Sequence, residues 1–250
     1  MNSVKLKRIR QAERQYHEQY YKKVSLYQKG SWLSRPIPLV MELADQLAES
    51  RKDTPDGQTG AAGPIRILDL GSGVGRNAIP LAKRFIPFGG SVHCVDLLES
   101  ALQKLKEYSR RYGVEKAITS EQADLGEYAI GKEAYDYILA AGAMEHCRSE
   151  EVLKRTIRSM ADGVRPGGIL CVLMNTDIEE FDKRTGAKRE TLIEVVLKAE
   201  EALGLLREAA DGWEELHAEM EPLHLGINRS EVPVLMKGRC VAFGARKPLR

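Results

Sequence analysis

The sequence predicts an α/β protein built on a doubly wound, mostly parallel sheet of seven strands, with helices at the N-terminal end. Three observations carry this prediction. From Ile65 onward, short apolar runs alternate with helix-length segments. The first run passes directly into three glycines, in ILDLGSGVGRNAIPLA (Ile67 to Ala82). The last, VPVLMKGRCVAFGAR, reads as two strands around Lys237-Gly238, an antiparallel hairpin closing the sheet. Apolar strands separated by crossover helices mark a parallel sheet covered on both faces.

The elements follow in order. Ile9, Ala12, Tyr16, Tyr20, Val24 and Tyr27 recur every three or four residues, which is one face of a helix over 4–28. Arg8, Arg10, Arg14 and Lys22 fall largely on its other side. GSWLSRPIP breaks that helix, and Leu39, Leu43 and Leu47 mark a second one from Pro38 to Ser50. Residues 1–50 are thus an N-terminal helical unit. RKDTPDGQTGAAGP, rich in Gly, Pro and Asp, is a flexible linker over 51–64, and 65–250 is the main domain. There IRILDL is a strand and 76–85 a helix; SVHCVD is a strand, with a helix over 98–112. AITSEQ is a shorter strand, and YDYILAA precedes a helix over 149–163. GGILCVLMN is the fifth strand; NTDIEEFD (175–182) reads as a solvated loop, and a helix follows over 191–208.

Composition narrows the class. With 250 residues, 43% hydrophobic and 30% charged, the chain has the balance of a globular domain with appendages. The net charge of +2 gives no overall drive toward nucleic acid or membrane, although residues 1–30 alone carry +6. Cys94, Cys147, Cys171 and Cys240 share no CxxC spacing, and three lie in apolar strand-like runs. Reduced, buried thiols in a cytoplasmic protein are expected, with no disulfide frame or zinc site. No apolar stretch follows the basic N-terminus, and no run approaches the roughly 20 residues that span a bilayer. Neither a secretory signal nor a membrane anchor is therefore expected.

The glycine turn locates a ligand site. Without Cβ atoms the backbone adopts φ > 0 and approaches a ligand closely. The helix that follows points free N–H groups at the same spot, and open α/β sheets bind ligands at the carboxyl ends of their strands. A dinucleotide would want G-x-G-x-x-G/A. From Gly71 that frame fails at Arg76; from Gly73 it fits only as Gly73, Gly75 and Ala78. Asp69, two residues before Gly71, would repel a pyrophosphate and welcome a cationic ligand. Asp96, ending SVHCVD, suits a ribose diol in either case. Asp124 in EQADLGEY stands where an acid can accept from a purine amino group, and it also reads as the start of an Asx-turn. Three acids at successive strand ends fit a nucleoside with a positively charged, amino-acid-like tail, such as S-adenosylmethionine.

Residues 65–175 resemble the class I S-adenosylmethionine-dependent methyltransferases. LDLGSGVGRNAIPLA is similar to their first motif at Asp69, Gly71, Gly73 and Gly75, VDLLESAL to the second, and ADLGEY to the adenine-side motif. YDYILAAGAMEH and VRPGGILCVLMN are similar to the fourth- and fifth-strand motifs. YYKKVSLYQKGSWLSRPIP and NTDIEEFDKRTG are similar to the tellurite-resistance-type small methyltransferases. The resemblance implies a Rossmann-like methyltransferase fold, with S-adenosylmethionine as cofactor and S-adenosylhomocysteine as product. It implies that Gly71, Ser72 and Gly73 line the methionine portion and that Asp69 faces its ammonium. Asp96 and Leu97 would hold ribose and pack on adenine. Asp124 and Leu125 would flank the adenine edge, and Ala140 would contribute strand-end backbone. Arg76 is a candidate for the ligand carboxylate.

His146 is the candidate catalytic base, with the identity of any base left open. Tyr20, Tyr27, Trp32 and His146 are the candidate substrate residues, since aromatic faces attract cations. Tyr16 belongs to the same aromatic series, and a packing role is the competing reading for all of these tyrosines. No metal is expected, because Ala141-Gly142-Ala143 stands where metal-dependent relatives place acids. The expected activity is methyl transfer to a small-molecule acceptor, with residues 1–50 and the 175–190 segment as a lid. Two alternatives remain: an RNA or other nucleic-acid methyltransferase using the basic N-terminus, and a non-catalytic S-adenosylmethionine-binding protein. No Asn-Pro-Pro-Tyr-like motif follows the fourth strand, which argues against the amino-group DNA enzymes.

Overall fold

The computed structural model describes residues 3–50, 63–229 and 232–249; most of the expected linker, residues 51–62, lies outside the described residues. Helices α1 (Ser3–Lys23) and α2 (Pro38–Ser50) precede β1 (Arg66–Leu70), α3 (Ala78–Phe85), β2 (Ser91–Asp96), α4 (Glu99–Arg111) and β3 (Ile118–Gln122). Then come β4 (Tyr135–Ala141), α5 (Glu150–Gly163), β5 (Val164–Asp182), β6 (Lys188–Arg189), α6 (Ala199–Ala209), β7 (Glu214–Arg229) and β8 (Val232–Arg246).

The sheet order is β3-β2-β1-β4-β5-β8-β7, with the two-residue β6 pairing off that path onto β5. Strands β1 to β5 are mutually parallel, and β8 is antiparallel to both β5 and β7. The doubly wound sheet with an antiparallel edge is therefore as expected, with one short strand added. Alternate residues of the inner strands feed two cores. Ile67, Tyr137 and Leu139 pack with α2, α3 and α4 on one face. Leu68, Leu70 and Ile138 pack with α5 and α6 on the other. A third cluster, Ile178, Ile193, Ile227, Val234 and Met236, lies where β5, β7 and β8 run on toward Tyr16 of α1. No helix among the described residues is long and apolar enough to cross a membrane. Cys94, Cys147 and Cys171 are buried, Cys240 is half-buried, and all four are free thiols.

Four expectations are corrected. α1 stops at Lys23, not 28: Tyr27 takes a left-handed φ of 65°, and Gln28 Oε1 accepts the Ser25 N–H. Residues 175–182 are strand, not loop. Thr176, Ile178 and Glu180 alternate inward, and the buried Glu180 is tolerated because Arg229 pairs with it at 2.7 Å. The last helix starts at Ala199, not 191. Ile193, Val195 and Leu197 bury with period two, and Asp177 Oδ2 accepts the Ala199 N–H. Lys237-Gly238 is not a turn: β8 runs through it, and Gly238 lies against the Thr176 carbonyl at the β5 bulge, where a Cβ would not fit.

Candidate active site

The order reverses between β1 and β4: the chain leaves β1 toward β2 and β3, then returns to β4 on the other side. The loops after these two strands therefore flank a crevice at the carboxyl edge. Gly71, Gly73 and Gly75 follow β1 with φ of 72°, 53° and 92°. A Cβ on Gly71 would overlap that of Ala143, so the two loops touch there. The loop is anchored from β2, since Val95 O accepts the N–H groups of Gly71 and Ser72. Asp96 Oδ2 accepts the Gly73 N–H and Oδ1 the Leu98 N–H, each at 2.8 Å. Burial raises the Asp96 pKa, and these two N–H groups work against that rise.

Asp69 is 2% exposed, and its Oδ2 has no hydrogen-bond partner, as is also true of the buried Ser72 Oγ. Burial, with the Asp96 charge beside it, pushes the Asp69 carboxyl up to about 7. A buried carboxylate oxygen and a hydroxyl without partners are costly unless a ligand completes them. Together with the Cβ-free loop, they fit the cationic methionine end of S-adenosylmethionine. Both Asp96 oxygens keep lone pairs for a diol.

α1 lies against the loops that flank the crevice. The Tyr21 hydroxyl would lie 2.9 Å from a Cβ on Gly73, so α1 packs onto the glycine loop. Arg10 pairs with Asp124 at 2.7 Å and reaches Glu194 at 3.7 Å. Glu13 Oε2 lies 3.4 Å from His17 Nε2, one turn on, and Glu13 Oε1 takes the Arg229 guanidinium. Below them, in the short 3-10 turn Met144–His146 after β4, His146 Nδ1 lies 2.9 Å from Glu194 Oε2. Burial alone would lower the His146 pKa. The Glu194 hydrogen bond and the charges of Glu13, Glu194 and Glu145 outweigh it and bring it to about 10. Burial would raise Glu13, but His17, His146 and Arg229 hold it at about 2. Glu145 is 1% exposed; Asn175 donates to Oε1, and Oε2 has no partner.

The expected residues separate into groups. Asp69, Gly71, Ser72, Gly73 and Asp96 converge on the crevice, and Ala140, next to last in β4, lies beside it, fully buried. Leu97 is 39% exposed and Leu125 half-buried. Asp124 does form an Asx-turn, accepting the Gly126 N–H at 3.0 Å, while its other oxygen meets Arg10. Tyr20 stacks on Trp32 at 5.1 Å between ring centroids, and His17 meets Trp32 edge-on at 6.3 Å. Tyr27 stands apart: its hydroxyl donates to the Arg76 carbonyl, and its ring packs on Tyr112. Arg76 donates to the Arg35 carbonyl at 2.8 Å and lies over Trp32. Sequence reading missed Arg10, Glu13, His17, Tyr21, Glu145 as a buried group, Asn175 and Glu194. Only the Glu13–His17 spacing of four was visible beforehand. Two surface concavities, of about 570 and 330 Å³, lie elsewhere, on the outer face of α5 and beside Arg229.

Comparison with known proteins agrees with this geometry. Residues 67–168 match the family described as methyltransferase domain. A curated relative, a probable non-canonical nonribosomal peptide synthetase (CymA) of Salinispora arenicola, is 25% identical over 162 residues, 61% of this chain but 2% of that protein. TehB from Haemophilus influenzae has the same fold, with a TM-score of 0.55 at 19% identity over 81% of this chain and 62% of TehB. So does an S-adenosylmethionine-dependent methyltransferase of Methanosarcina mazei, with a TM-score of 0.58 at 14% identity over 86% of this chain and 100% of that one. The glycine loop, the acids near the ends of β1 and β2 and the matched segment agree: residues 67–168 are similar to the methyltransferase-domain family, and the chain has the fold of the S-adenosylmethionine-dependent methyltransferases.

Proposed function

We propose that the chain methylates a small-molecule acceptor held beneath α1. The observation that carries this reading is that Asp69 Oδ2 and Ser72 Oγ are buried without partners beside the Asp96-braced loop, against which α1 packs through Tyr21. When bound, S-adenosylmethionine supplies an electrophilic methyl carbon. Asp69 and Ser72 then complete their hydrogen bonding at the methionine end, and Asp96 accepts from the ribose. The backbone of Gly71 and Gly73 permits the close approach. α1, through Tyr21, His17 and the Tyr20–Trp32 stack, keeps water out and orients the acceptor, which is the main contribution a protein makes to a displacement of this kind. Similarity to a segment of a nonribosomal peptide synthetase supports a natural-product-like acceptor. The basic residues of α1 support nucleic acid less, since Lys5 and Arg8 pair with Glu190 and Arg10 with Asp124.

Titration calorimetry with S-adenosylmethionine, S-adenosylhomocysteine and NAD tests the cofactor; binding of the first two and not NAD is expected. A metabolite and peptide library with labelled cofactor tests the acceptor class. Methylation of RNA and of no small molecule overturns the proposal. So does cofactor binding with no transfer to any acceptor.

A further inference from the structure

Glu13, His17 and His146 come together from two distant parts of the chain. One ligating atom of each lies within 4.8 Å of the other two. We propose that these three residues form a binding site for a divalent transition-metal ion of the zinc class, bridging α1 to the turn after β4. The inference does not depend on the methyltransferase reading.

The arrangement of the donors carries it. Glu13 Oε2 and His17 Nε2 are 3.4 Å apart. That is the ligand–ligand edge of a tetrahedron with bonds of about 2.0–2.1 Å. The pair sits at i and i+4 on one helix, a spacing that puts both donors on one face. His146 supplies the third vertex. Its Nδ1 is engaged with Glu194 at 2.9 Å, so Nε2 is the nitrogen left to ligate, and the ion would displace the proton it carries. A carboxylate behind a ligating histidine is the usual way such a ring is fixed and made more basic. Glu194 is itself held, because its side chain is 3% exposed and its other oxygen faces Arg10 at 3.7 Å. Glu13 is oriented in the same manner. Its second oxygen takes Arg229, which Glu180 pins at 2.7 Å. Two imidazoles and one carboxylate suit zinc-class ions; magnesium and calcium prefer all-oxygen sets. Three protein ligands leave a fourth position open, the arrangement of sites that bind water or substrate.

The expectation of no metal rested on the absence of acids directly after β4. The acid is supplied instead by α1, and the ion would fasten that helix over the crevice.

Equilibrium dialysis of the chelator-stripped full chain against Zn²⁺, with Mg²⁺ as the hard-cation control, tests the site. One equivalent of zinc and no retained magnesium are expected, with a Co²⁺ derivative showing tetrahedral absorption. Glu194→Gln leaves all three ligands and is expected to weaken zinc binding by about 10- to 100-fold. His17→Ala and Glu13→Gln are expected to lose at least as much, and His217→Ala nothing. Circular dichroism melts of each variant separate lost binding from lost fold, and should His17→Ala unfold, Glu194→Gln and Glu13→Gln carry the test. Absence of saturable zinc binding overturns the proposal. Binding unchanged in the folded variants does so as well.

Discussion

The carboxylate of Asp96 holds the Gly73 N–H with one oxygen and the Leu98 N–H with the other, both at 2.8 Å. One charge at the end of β2 thus fixes the glycine loop of β1 and the start of α4 together. Gly73 lies in the loop after the neighbouring strand β1, and Leu98 precedes α4. The residue that the resemblance assigns to a ribose is also the brace of the glycine loop, so a ligand contact proposed here is tied to the loop geometry.

Asp96→Ala removes both hydrogen bonds and any contact to the ribose. Bonds to a charged acceptor are worth about 1.5–3 kcal/mol. S-adenosylmethionine affinity is expected to fall by one to two orders of magnitude in titration calorimetry, with a loss of unfolding free energy in urea. Asp96→Asn keeps one acceptor oxygen, and its affinity should fall between the two. Unchanged affinity in the alanine variant would remove Asp96 from the ligand site.

Asp69 is expected to make S-adenosylmethionine binding depend on pH. Burial, then the Asp96 charge, raises its carboxyl from 3.8 to about 7 in the folded chain. The folded state holds this proton more tightly than the unfolded one, so its contribution favours folding at low pH. That contribution is lost as pH rises from about 4 through 7, and it is level above. A ligand ammonium reverses the preference and expels the proton. Below pH 7, S-adenosylmethionine binding should release protons and weaken as pH falls. Calorimetry in buffers of different ionisation enthalpy reads the release directly, and Asp69→Asn should abolish it. A proton count of zero in the unmodified chain at pH 6 would mean that Asp69 is already ionised.

How much of this was legible follows from how far apart the contributing residues lie. The glycine loop and Asp96 could be read because strand, turn and helix are contiguous and each leaves a local pattern. The β5 extension could not. Asp177 and Glu179 masked its alternation, and the buried Glu180 looks solvated until Arg229, far along the chain, is known to pair with it. Gly238 reads as a turn residue for the same reason, since what demands glycine there is the β5 carbonyl across the sheet. The His146 environment was the least accessible. Its partners Glu13, His17 and Glu194 come from α1 and from a segment that reads as helix, and no local spacing links any of them to His146.

Two glycines separate backbone strain from close packing. Gly71 and Gly186 both have φ of 72°. A Cβ on Gly186 meets nothing within 4 Å, whereas one on Gly71 overlaps the Ala143 Cβ. Gly186→Ala should cost only the left-handed strain, about 1 kcal/mol or somewhat more. Gly71→Ala adds an overpacking cost of about 1–3 kcal/mol and displaces the β1 loop. Urea melts should rank the two variants in that order, and cofactor binding should be lost only in Gly71→Ala. Equal costs would show that the β1 and β4 loops separate freely.

Arg229 gives the sharpest stability test. It is 4% exposed, at the end of β7, and pairs with Glu180 at 2.7 Å, itself 1% exposed, and with Glu13 of α1. Arg229→Met leaves Glu180 buried, charged and without its main partner. Breaking a buried pair from one side costs about 3–5 kcal/mol. The double variant Arg229→Met/Glu180→Met removes both charges and lets the third apolar cluster, around Ile178 and Ile227, extend over the site. Its unfolding free energy should therefore exceed that of the single variant, although it carries one more substitution. The opposite order, a double variant less stable than the single, would mean that Glu180 has another stabilising partner, the Leu192 N–H at 3.2 Å being the one at hand.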